Sequence, residues 1–222
     1  MGSGSPFEVD RPFAVPALIA LSLLAVLIGS SPAAASCRLS PLMKFQQAAE
    51  HGVPLVIASS SMFPGLPVGA KIFAKQTDAR QLAAGDVVAF CPHEDDPTLY
   101  VKRVIGLPGD RVQMMGDVLY VNRKAVDRAA DGTATSDFGD ALTCYKETLG
   151  TRTYRICLAA EPNAYADTPE SLVPPGQVFV LGDNRDNSVD SRDPALGPVK
   201  IEDVVGVSVP SLMNLIGTPP VK

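Results

Sequence analysis

"CYKETLGTRTYRIC", residues 144–157, is the stretch on which the reading of the fold turns. Two runs of alternating character flank Gly150-Thr151. Glycine in first place is what a two-residue type II′ hairpin loop prefers, because that position needs a positive φ. Leu149 and Arg152 then close the loop as a hydrogen-bonded pair. Counting outward, Cys144 falls directly opposite Cys157 at a non-hydrogen-bonded pair, where Cα atoms stand about 4.5 Å apart. That separation suits a disulfide. The stretch predicts an antiparallel hairpin with a Cys144–Cys157 bridge.

Working outward, short Val/Ile-rich runs recur on both sides. Val53–Ala58, Ala70–Lys75, Asp86–Phe90, Leu99–Ile105, Val112–Met115, Gln177–Asp183 and Val204–Val209 all read as strands. Asp117–Val126 reads as a second hairpin, turning at Asn122-Arg123. The 18 glycines and 20 prolines among 222 residues punctuate these runs, which predicts a mostly β fold. Arg128–Ala141 is small and polar and reads as a surface loop or insertion, and Glu161–Gly176 as a long connection.

The N-terminal quarter is different. Residues 1–11 look like a flexible leader. Residues 12–36 carry no charge, and their apolar heart, Phe13–Ile28, would rise about 24 Å as a helix against a hydrocarbon core of roughly 30 Å. The uncharged flanks make up the difference. An anchor that stays and an export signal cut at Ala33–Ala35 are both open readings, with a buried core helix as the third. Residues 37–52 read as a short helical linker, Ser40 capping a helix to His51. Residues 53–222 form the expected β domain, with a variable insertion around residues 127–170.

Composition excludes several classes. A net charge of −5 argues against a generic nucleic-acid surface. The four cysteines form no CxxC, and His51 and His93 stand far apart, so no metal site is expected. An even cysteine count in an exported domain fits disulfides. Once Cys144 and Cys157 pair, Cys37 and Cys91 remain as a second bridge or as two thiols.

"IASSSMFPGL", residues 57–66, sets three serines between an apolar run and a chain-breaking one. A serine nucleophile needs a base. Neither histidine lies in a triad context, and GxSxG and HExxH are absent. A lysine base is the remaining option. "YVKRVIGLPGD", residues 100–110, places Lys102 inside an apolar run. Alone, it would read as an edge lysine facing water. "LGDNRDNSVDSRD", residues 181–193, is a dense polar knot after a strand, and alone it would read as an Asx-capped turn.

Together, "SSSMFPGL", "YVKRVIGLPGD" and "GDNRDNSVDSR" resemble the type I signal peptidases, membrane-bound Ser/Lys endopeptidases that remove export signals. The resemblance covers roughly residues 53–210, with "KETL" and "VPPGQVFVLGD" also similar. It implies a signal-peptidase/LexA-like β fold of coiled antiparallel sheets behind an N-terminal apolar helix. It implies Ser61 as nucleophile and Lys102 as general base. An oxyanion hole would come from the Ser59 hydroxyl and the Ser61 amide, and Ser188 would orient the lysine amine. Arg103, Asp190 and Arg192 match structural positions. Met62, Phe63 and Pro64 match the part that faces substrate and membrane. No cofactor is implied. The partners would be preprotein signal peptides with small residues at −1 and −3, and a lipid bilayer. The enzyme would sit in the cytoplasmic (inner) membrane, single-pass, with its catalytic domain on the periplasmic side.

The chain departs from the family pattern at Ala58, where proline is usual, at Ser60, where glycine is usual, and at Gly65, where threonine is common. Ser60 is thereby a rival nucleophile. A conjugation-type peptidase of the same clan, a self-cleaving repressor and a non-enzymatic signal-peptide-binding module are the alternatives. Burial must lower the lysine pKa for the dyad to work, since a free lysine near 10.4 is almost wholly charged at pH 7. A carboxylate at Nζ would oppose this, so Asp190 is expected to pair with arginine.

Overall fold

The computed structural model describes residues 52–75, 81–92, 98–161 and 163–210. The expected anchor, the Ser40–His51 helix, the Ala33–Ala35 site and Cys37 lie outside the described residues. Among the described residues no helix is long and apolar enough to cross a membrane.

The strands, in chain order, begin with β1 (Val53–Val56), β2 (Lys71–Lys75), β3 (Val87–Phe90), β4 (Tyr100–Gly106) and β5 (Arg111–Met115). Next come β6 (Val118–Val121), β7 (Lys124–Ala125), β8 (Asp127–Thr135), β9 (Ala141–Leu149) and β10 (Arg152–Ala159). The last are β11 (Ser171–Leu172), β12 (Gln177–Leu181), β13 (Val199–Lys200) and β14 (Val204–Pro210). They build a seven-stranded sheet in the order β1-β2-β14-β3-β4-β12-β13, a four-stranded sheet β11-β5-β6-β7 and a three-stranded sheet β10-β9-β8. Paired strands run antiparallel throughout. The described part of the molecule is mostly β, as its turn-punctuated apolar runs predict.

The large sheet is buried on both faces at its centre, which is why "QVFVL" of β12 shows no polar alternation. Val178 and Val180 join Val88, Phe90 and Val104 in one core, whereas Phe179 and Leu181 join Ile105, Met114 and Ile156 in another. Successive side chains of a strand point to opposite faces. Lys102 therefore shares the Val104 face of β4 and stands opposite Val88 across the ladder. Arg103 points the other way.

The hairpin of residues 144–157 has the expected register, with Leu149 opposite Arg152 and Cys144 opposite Cys157. Gly150 takes φ 62°, the positive value its turn requires. Cys144 and Cys157 are joined by a disulfide with Cα atoms 4.1 Å apart. The second hairpin turns at Asn122 and Arg123, both at positive φ. One expectation is corrected. Residues 128–135 are not a surface loop but most of β8, a nine-residue edge strand laddered onto β9; only the turn before Ala141 is irregular. An edge strand is held by backbone bonds to one neighbour while most of its side chains stay in water. Its Ala, Thr, Asp and Gly residues therefore carry no apolar alternation to read.

Candidate active site

Beyond β1 the chain leaves its extended path and tightens into a 3-10 turn, Ser60–Met62. Met62, 1% exposed, is the apolar plug that seats this turn. The N–H of Phe63 closes it onto the Ser60 carbonyl at 3.0 Å. Phe63 packs inward against Leu142, Cys144 and Cys157. The turn presents Ser61 to β4, where the strand holds Lys102.

Lys102 Nζ donates to Ser61 Oγ at 2.7 Å. It also donates to the carbonyl of Val101 at 3.1 Å and lies 5.5 Å from the centre of the Tyr100 ring. Burial strips the ammonium of water and lowers its pKa to about 8, against the opposing pull of Asp190 and Asp183. Both carboxylates are drawn off by arginines. Arg192 clasps Asp190 through Nε and Nη2, each at 2.8 Å. Arg103 clasps Asp183 at 2.8 and 2.7 Å. Paired this way, they polarise the lysine less than bare carboxylates would, so desolvation wins.

Ser59 Oγ stands 3.1 Å from Ser61 Oγ. The structure thus brings Ser59, Ser61 and Lys102 together. It does not bring Ser188 to the amine. Ser188 Oγ is buried without a hydrogen-bond partner, packed where Gly182 leaves room, and the second contact of Nζ goes to Val101 instead. Arg103, Asp190 and Arg192 form the buried scaffold just described. Met62 lines the groove beside Ser61, but Phe63 and Pro64 are not among its lining residues.

That groove, about 590 Å³, runs between the outer edge of β1, which pairs with no further strand among the described residues, and the start of β4. Leu55, Ile57, Leu99 and Val101 make one stretch apolar, whereas Asn163, Tyr165, Asp186 and Asn187 make another polar. An extended peptide laid along an unpaired strand edge is held by backbone hydrogen bonds.

Sequence reasoning missed several residues. Asn184 donates its N–H to the Ser61 carbonyl at 3.0 Å, and Asn187 Nδ2 donates to Ser60 Oγ at 2.8 Å. Arg185 and Glu147, each 1% exposed, form a buried ion pair behind this turn. Both asparagines lie inside "GDNRDNSVDSR", so the signal was on the page. The sequence reading takes only Ser188, Asp190 and Arg192 from that stretch.

A family model described as signal peptidase, peptidase S26, matches residues 49–212. Signal peptidase I of Rickettsia typhi is 40% identical over 155 residues, covering 67% of this chain and 57% of that protein. Signal peptidase I of Rickettsia conorii is 42% identical over 142 residues, 60% of this chain and 52% of that protein. The chain thus spans little more than half the length of these curated relatives. Among solved structures, a signal peptidase I of Enterococcus faecalis matches with 28% identity and a TM-score of 0.35, covering 57% of this chain and 96% of that one.

Proposed function

The chain belongs to the signal peptidase, peptidase S26 family, and on that premise we propose that it is an endopeptidase that removes N-terminal signal peptides from exported preproteins. Ser61 is its nucleophile and Lys102 its general base. The observation that carries this reading is the 2.7 Å contact between Nζ and Ser61 Oγ in a site where burial lowers the amine pKa to about 8. About a tenth of the amine is then neutral at pH 7.

In the neutral state the contact reverses, and the hydroxyl donates its proton to the amine as Oγ attacks the scissile carbonyl. The Ser61 N–H and the Ser59 hydroxyl hold the oxyanion, and loss of one such donor typically costs about 10²–10³ in rate. Lys102 then protonates the leaving amine. A water deprotonated by the same amine releases the acyl group and restores Ser61. Side chains and water carry every proton in this cycle.

The signal's last residues lie extended along β1, with small side chains at −1 and −3 facing the apolar wall. The uncharged segment of residues 12–36 anchors the enzyme in the cytoplasmic membrane as a single pass, its β domain outside the cytoplasm. The "AAA" at residues 33–35 is itself a substrate-like site. The test is cleavage of a peptide carrying an Ala-X-Ala signal end, followed by mass spectrometry. Wild type is expected to cut after the second alanine and Ser61→Ala to leave the peptide whole. Equal cleavage by both overturns the assignment of the nucleophile.

A further inference from the structure

We propose that Ser60 and Asn187 form a positioning latch that fixes the nucleophile turn. Ser60 departs from the family pattern and is 3% exposed. It is not among the residues lining the groove, although Ser59 and Ser61 on either side are. Its hydroxyl is turned to the groove-lining Asn187 rather than to the groove itself. It accepts instead from Asn187 Nδ2 at 2.8 Å.

This contact belongs to a set that joins two turns far apart in sequence. The Ser60 carbonyl accepts from Asn184 Nδ2 at 3.3 Å, and the Ser61 carbonyl from the Asn184 N–H at 3.0 Å. The Asn184–Asn187 turn is itself closed by the Asn187 N–H on the Asn184 carbonyl at 3.1 Å. Arg185, between them, is held by the buried Glu147. Asn184 thus grips the backbone of the nucleophile turn, and the Ser60 hydroxyl adds the side-chain grip. The latch stops the turn from rotating Ser61 Oγ away from Nζ. A slip of about 1 Å at reacting atoms is enough to lower rate about 10²-fold. The same contact disposes of Ser60 as a rival nucleophile, since the amine bonds Ser61 and the Ser60 hydroxyl is occupied elsewhere.

The proposal rests on the peptidase reading, so its test uses two readouts on wild type, Ser60→Ala, Asn187→Ala and the double variant. The first is urea unfolding, which needs no substrate. The two single losses are expected to be non-additive, because either substitution breaks the same bond. The second is kcat and KM on the Ala-X-Ala peptide. Each single variant is expected to lower kcat about three- to tenfold, the range for one buried neutral hydrogen bond, with KM within about twofold. The double variant should be no slower than the slower single one. Additive unfolding losses, or an unchanged kcat in Ser60→Ala, overturn the latch. So does a raised KM confined to Asn187→Ala, which makes Asn187 a substrate contact. If wild type cuts no peptide, the peptidase reading fails, and the unfolding cycle still decides whether the bond exists.

Discussion

Lys102 stands opposite Val88 in the ladder, and its ammonium form loses hydration there. Its pKa falls from 10.5 unfolded to about 8 folded. The unfolded chain thus binds more protons between these values, and stability rises with pH across that window. Below about pH 8 the whole penalty is present; above 10.5 it is gone. Lys102→Met is accordingly expected to be inactive yet more stable at pH 7, by up to about 3 kcal/mol. Urea unfolding at pH 7 and pH 10 checks this: the gap between variant and wild type should shrink at the higher pH. Gly182 gives a second prediction. A Cβ there would lie 2.6 Å from the Ser61 carbonyl and 2.5 Å from Ser188 Cβ. Gly182→Ala is expected to cost about 1–3 kcal/mol by overpacking and to lower cleavage about 10²-fold, because the Ser61 backbone must move. Parallel melting and peptide assays separate the two effects. Ser61 and Lys102 were legible because three motif boxes coincide in one order. The separation of Ser188 from the amine was not, because its side chain packs against Gly182, and the sequence names residues without naming rotamers.

Among the elements, β9 has a task beyond its ladder. It carries Glu147 to Arg185, and with both side chains 1% exposed the pair is sealed from water. Glu147→Ala leaves a buried guanidinium unpaired and is expected to cost about 3–5 kcal/mol, whereas replacing both residues by methionine should recover most of that loss. Denaturant midpoints of the single and double variants decide it. Legibility at this scale followed burial. The strands β4 and β12 announce themselves by branched apolar runs because they pack against core on both faces, and β3 does so because three of its four residues are buried. The hairpin of β9 and β10 was legible down to its register because Gly150 admits a positive φ. Strand β8 was not, since its exposed edge asks little of its side chains. The pairing between the Ser60–Met62 turn and the Asn184–Asn187 turn was harder to read, because two of its three contacts end on backbone carbonyls that every residue possesses.

The whole molecule is a way of bringing distant pieces of chain to one place. The Ser60–Met62 turn follows the edge strand β1, Lys102 sits in the middle of β4, and the polar Asn184–Asn187 turn that bonds Ser60 and Ser61 follows β12. The large sheet sets β4 beside β12, and the outer edge of β1 borders a groove leading to Ser61. Spacing along the chain gives no hint of these meetings. They follow from sheet order, which a single sequence encodes only through its sum of strand pairings. The central claim is that a buried amine, neutral often enough, takes the Ser61 proton. The measurement that tests it most directly is kcat/KM for signal-peptide cleavage against pH, for wild type and Lys102→Ala, since that ratio reports the ionisation of the free enzyme. The expected result is a rate that climbs about tenfold per pH unit, levels near pH 8 and vanishes in the variant. A flat profile from pH 6 to about 9, or an undiminished rate in Lys102→Ala, contradicts it.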